Sequence, residues 1–81
     1  METKVEKFKR LLRNLESQQD RVAREGYGRN ARGTTDAMAF KVNELHRMVM
    51  RDDDVVDALD TDDKLAARYR RAERRFAGLP V

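Results

Sequence analysis

Arg68, Arg70, Arg71, Arg74 and Arg75 place five guanidiniums within eight residues near the end of this 81-residue chain. Arginine offers a planar fork of donors that matches phosphate oxygens two at a time, so such a row suits a polyanionic backbone. Leu65, Tyr69, Ala72 and Phe76 occupy the other side of the same stretch, at helical spacing. The plain alternative is neutralisation of these arginines by the acidic stretch before them.

A second basic row lies in the first third of the chain. At 100° per residue, Arg10, Arg13, Arg21 and Arg24 fall within about 80° of one another, opposite the apolar positions Val5, Phe8, Leu12 and Leu15. With Lys7 and Lys9, the row extends over roughly 25 Å, long enough to meet several phosphates. Glu6, Glu16 and Asp20 border it and dilute its field. A solvated helix face is the competing reading.

Between the two rows, residues 26–35 read GYGRNARGTT. Glycines let a backbone approach a ligand, Arg29 and Arg32 can bind phosphate, and Tyr27 can stack on a base. The stretch lacks the Lys-Ser/Thr that ends a P-loop, and no strand precedes it as a dinucleotide fingerprint requires. A simple interhelical loop explains it equally well.

The acidic residues Asp52, Asp53, Asp54, Asp57, Asp60, Asp62 and Asp63 lack the Asp–Gly–Glu order of a calcium loop. They read as helix caps and ion-pair partners, or as a surface for a basic protein. His46 is the only histidine and has no nucleophile or second metal ligand at a recognisable spacing. Neither catalysis nor a cofactor or metal is expected.

Charged residues make up 41% of the chain, and the net charge of +3 conceals blocks. Residues 1–33 carry +4 (nine basic, five acidic), residues 34–63 carry −6 (three basic, nine acidic), and residues 64–81 carry +5 (six basic, one acidic). Such a chain can pair its own segments, pair with a second copy, or present basic ends to nucleic acid. There is no cysteine, and no apolar run approaches the ~20 residues of a membrane span. Charges recur from Glu2 to Arg13, where a signal peptide would need an apolar core. A soluble cytoplasmic protein is expected, or a nucleoid or nuclear one if bound to nucleic acid.

These side chains need helices to position them. Thr3 with Glu6 has capping-box spacing, and Val5, Phe8, Leu12, Leu15, Gln19 and Val22 follow an a/d pattern, so a helix is predicted over about 3–25. A loop follows at 26–34. Thr34 or Thr35 then caps a helix over about 35–59, on which Met38, Val42, Leu45 and Val49 step by four, three and four. The count continues through Asp52, Val56 and Leu59, which favours one near-continuous helix, with a break near 51–53 as the rival reading. Met38, Met48 and Met50 are assigned to the core or a dimer seam. Asp60 or Thr61 caps the last helix, over about 62–77, whose seam is Leu65, Tyr69, Ala72 and Phe76; Gly78 and Pro80 stop it.

The expected fold is all-α: a three-helix bundle or an extended helical hairpin in a single domain. Narrow stripes and a long second helix favour a homodimer. The function this best fits is a small non-enzymatic regulator that binds nucleic acid, duplex RNA or DNA, by shape and charge at backbone phosphates. The alternatives are a protein-binding adaptor or inhibitor that docks through the second helix and acidic segment, and a structural oligomer. In size and composition the chain is similar to small helical regulators of phages, plasmids and viruses, an analogy without residue-level content.

Overall fold

The computed structural model describes residues 1–79, within which the chain forms four helices: α1 (Lys4–Glu25), α2 (Ala31–Arg51), α3 (Asp53–Thr61) and α4 (Asp63–Ala77). Pro80, expected to help stop the last helix, lies outside the described residues. Among the described residues there is no strand, and no helix is long and apolar enough to cross a membrane.

α1 starts where the capping box forms. The Thr3 hydroxyl accepts from the Glu6 backbone N–H at 3.1 Å, and the Thr3 N–H donates to Glu6 Oε1 at 3.1 Å. It ends at Gly26, whose φ of 76° any β-carbon would strain, and whose N–H reaches the Val22 carbonyl at 2.8 Å.

The expected loop over 26–34 is shorter, because α2 begins at Ala31 and not at 35. Asn30 is the cap: its Oδ1 accepts from the Gly33 N–H at 2.9 Å. Asn caps at least as well as Thr, so the earlier start gains a cap and extra helical turns. Thr34 and Thr35 lie inside the helix, and the Thr35 hydroxyl donates back to the Ala31 carbonyl at 2.9 Å.

The near-continuous second helix over 35–59 is two helices, so the expected three helices are four. Asp52 is extended, at φ −107° and ψ 105°, and its N–H closes α2 on the Met48 carbonyl at 2.8 Å. The charges explain the break. A continuous helix would run three consecutive aspartates through its interior, whereas restarting places Asp53 and Asp54 in the first turn of α3, where the helix dipole favours carboxylates. The extended residue also resets the helical phase. Val55 is fully buried, while Val56, expected on the stripe, is only half-buried. At the next junction Asp62, not Asp60 or Thr61, caps α4 through Oδ1 to the Leu65 N–H at 3.1 Å.

Cross-helix contacts give the directions. Lys4 meets Asp52 at 3.0 Å, and Lys41 donates to Gln18 at 2.9 Å, so α1 and α2 are antiparallel. Glu16 pairs with Arg68, Gln19 with Ala72 and Asp20 with Arg75, so α1 and α4 ascend together. The three long helices form an up-down-up bundle, and α3 packs against all of them.

Phe8, Leu12, Leu15, Met38, Leu45, Val55 and Leu65 are its largest fully buried side chains. Leu11, Val22, Val42, Met48, Tyr69 and Ala72 complete the core, and the Phe8 and Tyr69 rings meet at 5.5 Å in a tilted pair. Val5, Val49 and Phe76 are half-buried at its margin. Met50, assigned to the core or a dimer seam, is 83% exposed in the monomer, on the outer side of α2.

Candidate nucleic-acid interface

The apolar stripe of α1 turns Phe8, Leu12, Leu15 and Val22 inward, which forces Arg10, Arg13, Arg21 and Arg24 onto its outer side. A groove runs along each flank of that outer side. The α1/α4 groove has a volume of about 340 Å³ and brings Arg13 together with Arg68, Arg71 and Arg75. The α1/α2 groove, of about 360 Å³, holds Asn14, Gln18, Arg21 and Lys41. Ser17 lines both, so it stands on the crest between them.

Two of the four arginines in the α1/α4 groove are held by α1 carboxylates. Arg68 grips Glu16 with both arms of its fork, NH2 to Oε1 at 2.6 Å and Nε to Oε2 at 3.1 Å. Hydrogen bonding to Glu16 raises the pKa of the Arg68 guanidinium above its ordinary value, against a smaller opposing effect of burial. Arg75 reaches Asp20 at 3.0 Å. Arg13 and Arg71 make no ion pair, so the groove keeps two uncommitted guanidiniums beside two preoriented ones.

The other predicted residues are dispersed. Arg10 folds back onto Glu2 (Nε to Oε2 2.8 Å, NH2 to Oε1 3.1 Å), an exposed pair whose hydrogen bond lowers the Glu2 pKa and raises that of Arg10. Arg24 leans on the Asp20 carbonyl at 3.4 Å. Arg29 and Arg32 are exposed around the start of α2, away from both grooves. Arg70 lies about 160° from Arg68 around α4, so the α4 arginines do not form one face. Arg74 borders a hollow with Ala23 and Leu79 at the C-terminal end of the helix. Tyr27, a candidate base-stacking ring, is half-buried against the edge of the core.

No ion pair joins the α4 arginines to the segment 52–63, from which only the charge of Asp62 acts weakly on Arg68; the carboxylates that pair with Arg68 and Arg75 come from α1. In that segment Asp52 pairs with Lys4 and Asp62 caps α4, whereas Asp53, Asp54, Asp57, Asp60 and Asp63 make no ion pair. His46 Nε2 is paired with Glu73, and its ring meets Tyr69 edge-on at 6.1 Å. Burial, then the charge and hydrogen bond of Glu73, push the Tyr69 hydroxyl well above the usual range. Among the described residues, no group of three or more His, Cys, Asp or Glu side chains is placed to hold a metal ion.

The arginine rows alone do not reveal Asn14, Ser17, Gln18 and Lys41, which line the α1/α2 groove. The signal was present: Asn14, Ser17, Gln18 and Arg21 recur at three, four and seven residues, the spacing of one helix face. No protein family model matches the chain, and comparisons with curated proteins and with solved structures find no significant match.

Proposed function

We propose that this chain is a small non-enzymatic regulatory protein that binds nucleic acid through backbone phosphates, using the arginines of α1 and α4. The observation that carries this reading is the α1/α4 groove, where Arg13 and Arg71, free of ion pairs, share one hollow with Arg68 and Arg75. The packed helices fix the backbone anchors of all four arginines and the ion pairs preorient Arg68 and Arg75, which lowers the ordering cost of gripping successive phosphates. A polyanion can also compete for the two guanidiniums that Glu16 and Asp20 pair with; the single-contact Arg75–Asp20 pair yields more readily than the bidentate Arg68–Glu16 pair. The site of action is then the cytoplasm, or the nucleoid or nucleus where the nucleic acid lies.

The test is a titration of duplex and single-stranded nucleic acid at two salt concentrations. Binding through several phosphates gives an affinity that falls steeply as salt rises, by about 0.9 logarithmic units per phosphate neutralised on B-form DNA. Salt-independent binding, or none to either form, would refute the reading.

A homodimer is part of the same proposal. Phe40, 64% exposed, and Met50 lie on the outer side of α2 and suit contact with a second copy. Light scattering reads this directly; a monomer at high protein concentration rejects the dimer, and growth beyond a dimer favours a structural oligomer. The same two side chains, with the unpaired aspartates of α3, also favour a second reading: an adaptor or inhibitor docking a basic protein. One stoichiometric protein partner that survives nuclease treatment, and is lost when Asp53 and Asp57 are changed to Lys, would support it.

A further inference from the structure

We infer that α1 is the element that enters the major groove of B-form DNA, so that the partner is duplex DNA and its sequence is read. The inference rests on the nucleic-acid reading above and names the partner of that site. Grooves on both flanks make α1 a ridge, with Ser17 on its crest and cationic side chains in each trough. On one side these are Arg68, Arg71 and Arg75 of α4; on the other it is Lys41 of α2.

The dimensions favour B-form DNA. Its major groove, about 12 Å wide, admits a helix of about 10–12 Å diameter. Packed helices lie about 8–10 Å apart, so α2 and α4 come to rest beside the two phosphate walls when α1 is inserted. A-form RNA offers no equivalent. Its major groove is deep and narrow, and its minor groove is wide and shallow, which suits a flat face and not a ridge.

The crest also carries the chemistry of base reading. Arg13 and Arg21 are suited to guanine O6 and N7, Asn14 to adenine N6 and N7, and Ser17 can donate or accept. All four are exposed. Glu16 and Asp20, which would repel a phosphate wall, are each paired with an α4 guanidinium.

The experiment uses the full chain with a randomised pool of short DNA duplexes, then with DNA and RNA duplexes of the selected sequence. Selection is expected to enrich a motif, and the selected DNA should bind at least about tenfold more tightly than the matching RNA. The variant N14A/S17A should lose the motif preference and keep the salt dependence. R71A should weaken all sequences alike and reduce the salt slope by about one. These residues are exposed, and circular dichroism verifies that both variants fold. RNA bound as tightly as DNA, or no enriched motif, overturns the inference while leaving nucleic-acid binding intact. Binding to neither DNA nor RNA removes the parent reading instead.

Discussion

Gln19 of α1 donates its side-chain amide to the carbonyl of Ala72 in α4 at 2.8 Å, while its own Oε1 is buried without a partner. The residue is 2% exposed and is the one polar side chain in the core among the described residues. The reverse amide orientation would set its oxygen against the Ala72 carbonyl, so the orphaned acceptor is a consequence of the pairing. A buried acceptor left unmet costs about 1–3 kcal/mol. Changing Gln19→Leu or Gln19→Met, of similar volume, is therefore expected to raise stability by about that amount, measured as the urea midpoint. A loss of stability would mean that the amide contributes more through Ala72 than its free oxygen costs.

The start of α2 couples two residues. A β-carbon on Gly33 would collide with the side-chain amide of Asn30, the cap. Alanine gains about 1 kcal/mol over glycine inside a helix, and losing an Asn cap costs about the same. Gly33→Ala alone should thus be close to neutral. In an Asn30→Ala background, where the cap is already gone, it should stabilise by about 1 kcal/mol. Equal effects in both backgrounds would show that the cap and the glycine are independent.

Glu16 and Asp20 compete with phosphate for Arg68 and Arg75. The double change E16Q/D20N removes two negative charges, taking the formal net charge from +3 to +5. Both pairs are solvent-accessible, so folding stability should move by less than about 1 kcal/mol per pair. Duplex affinity at low salt, followed by fluorescence anisotropy, should rise severalfold and depend more steeply on salt. An unchanged affinity would place the bound phosphates elsewhere.

Alkaline pH should weaken the fold. The Tyr69 hydroxyl is raised above its ordinary value of 10.0, chiefly by burial, and the exposed Lys4 ammonium is raised from 10.5 by its hydrogen bond to Asp52. In both cases the folded state holds its proton more tightly than the unfolded chain. Their contribution is complete below the ordinary values and declines as pH rises from about 10 towards the folded-state values. Denaturant midpoints should hold level between neutral pH and about 9, then fall. Tyr69→Phe, which has no hydroxyl to ionise, should flatten that fall; an equal fall in the variant would assign it to other groups.

Much of the architecture is readable from spacing. The stripes of α1 and α4 recur at three and four residues, and Thr3 with Glu6 marks a start that local hydrogen bonds alone decide. The junctions are harder. Asp52, Val56 and Leu59 continue the count from Val49, so periodicity argued for one helix where the dipole energy of three adjacent aspartates produced two. Asn30 sits among glycines and arginines that look like loop, yet its capping bond to Gly33 begins a helix. At the candidate interface the basic residue types stand out in sequence, but their company does not. That Arg68 faces Glu16 follows from α4 ascending beside α1, a tertiary relation that no local pattern encodes. Tyr27 and Met50 show the same limit, one drawn toward the core and one left outside it.

The pairs that frame the arginine groove join residues 52 to 55 positions apart in sequence. Bringing such distant segments together carries a loop-closure cost before any contact compensates for it. The hairpin of α1 and α2 can assemble from nearer neighbours, whereas the groove needs α4 to dock. A chain cut off before Asp63 would lack α4, and with it one wall of the groove and the core side chains Leu65, Tyr69 and Ala72. During synthesis the charged hollow therefore comes into being only once α4 has left the ribosome and closed the bundle.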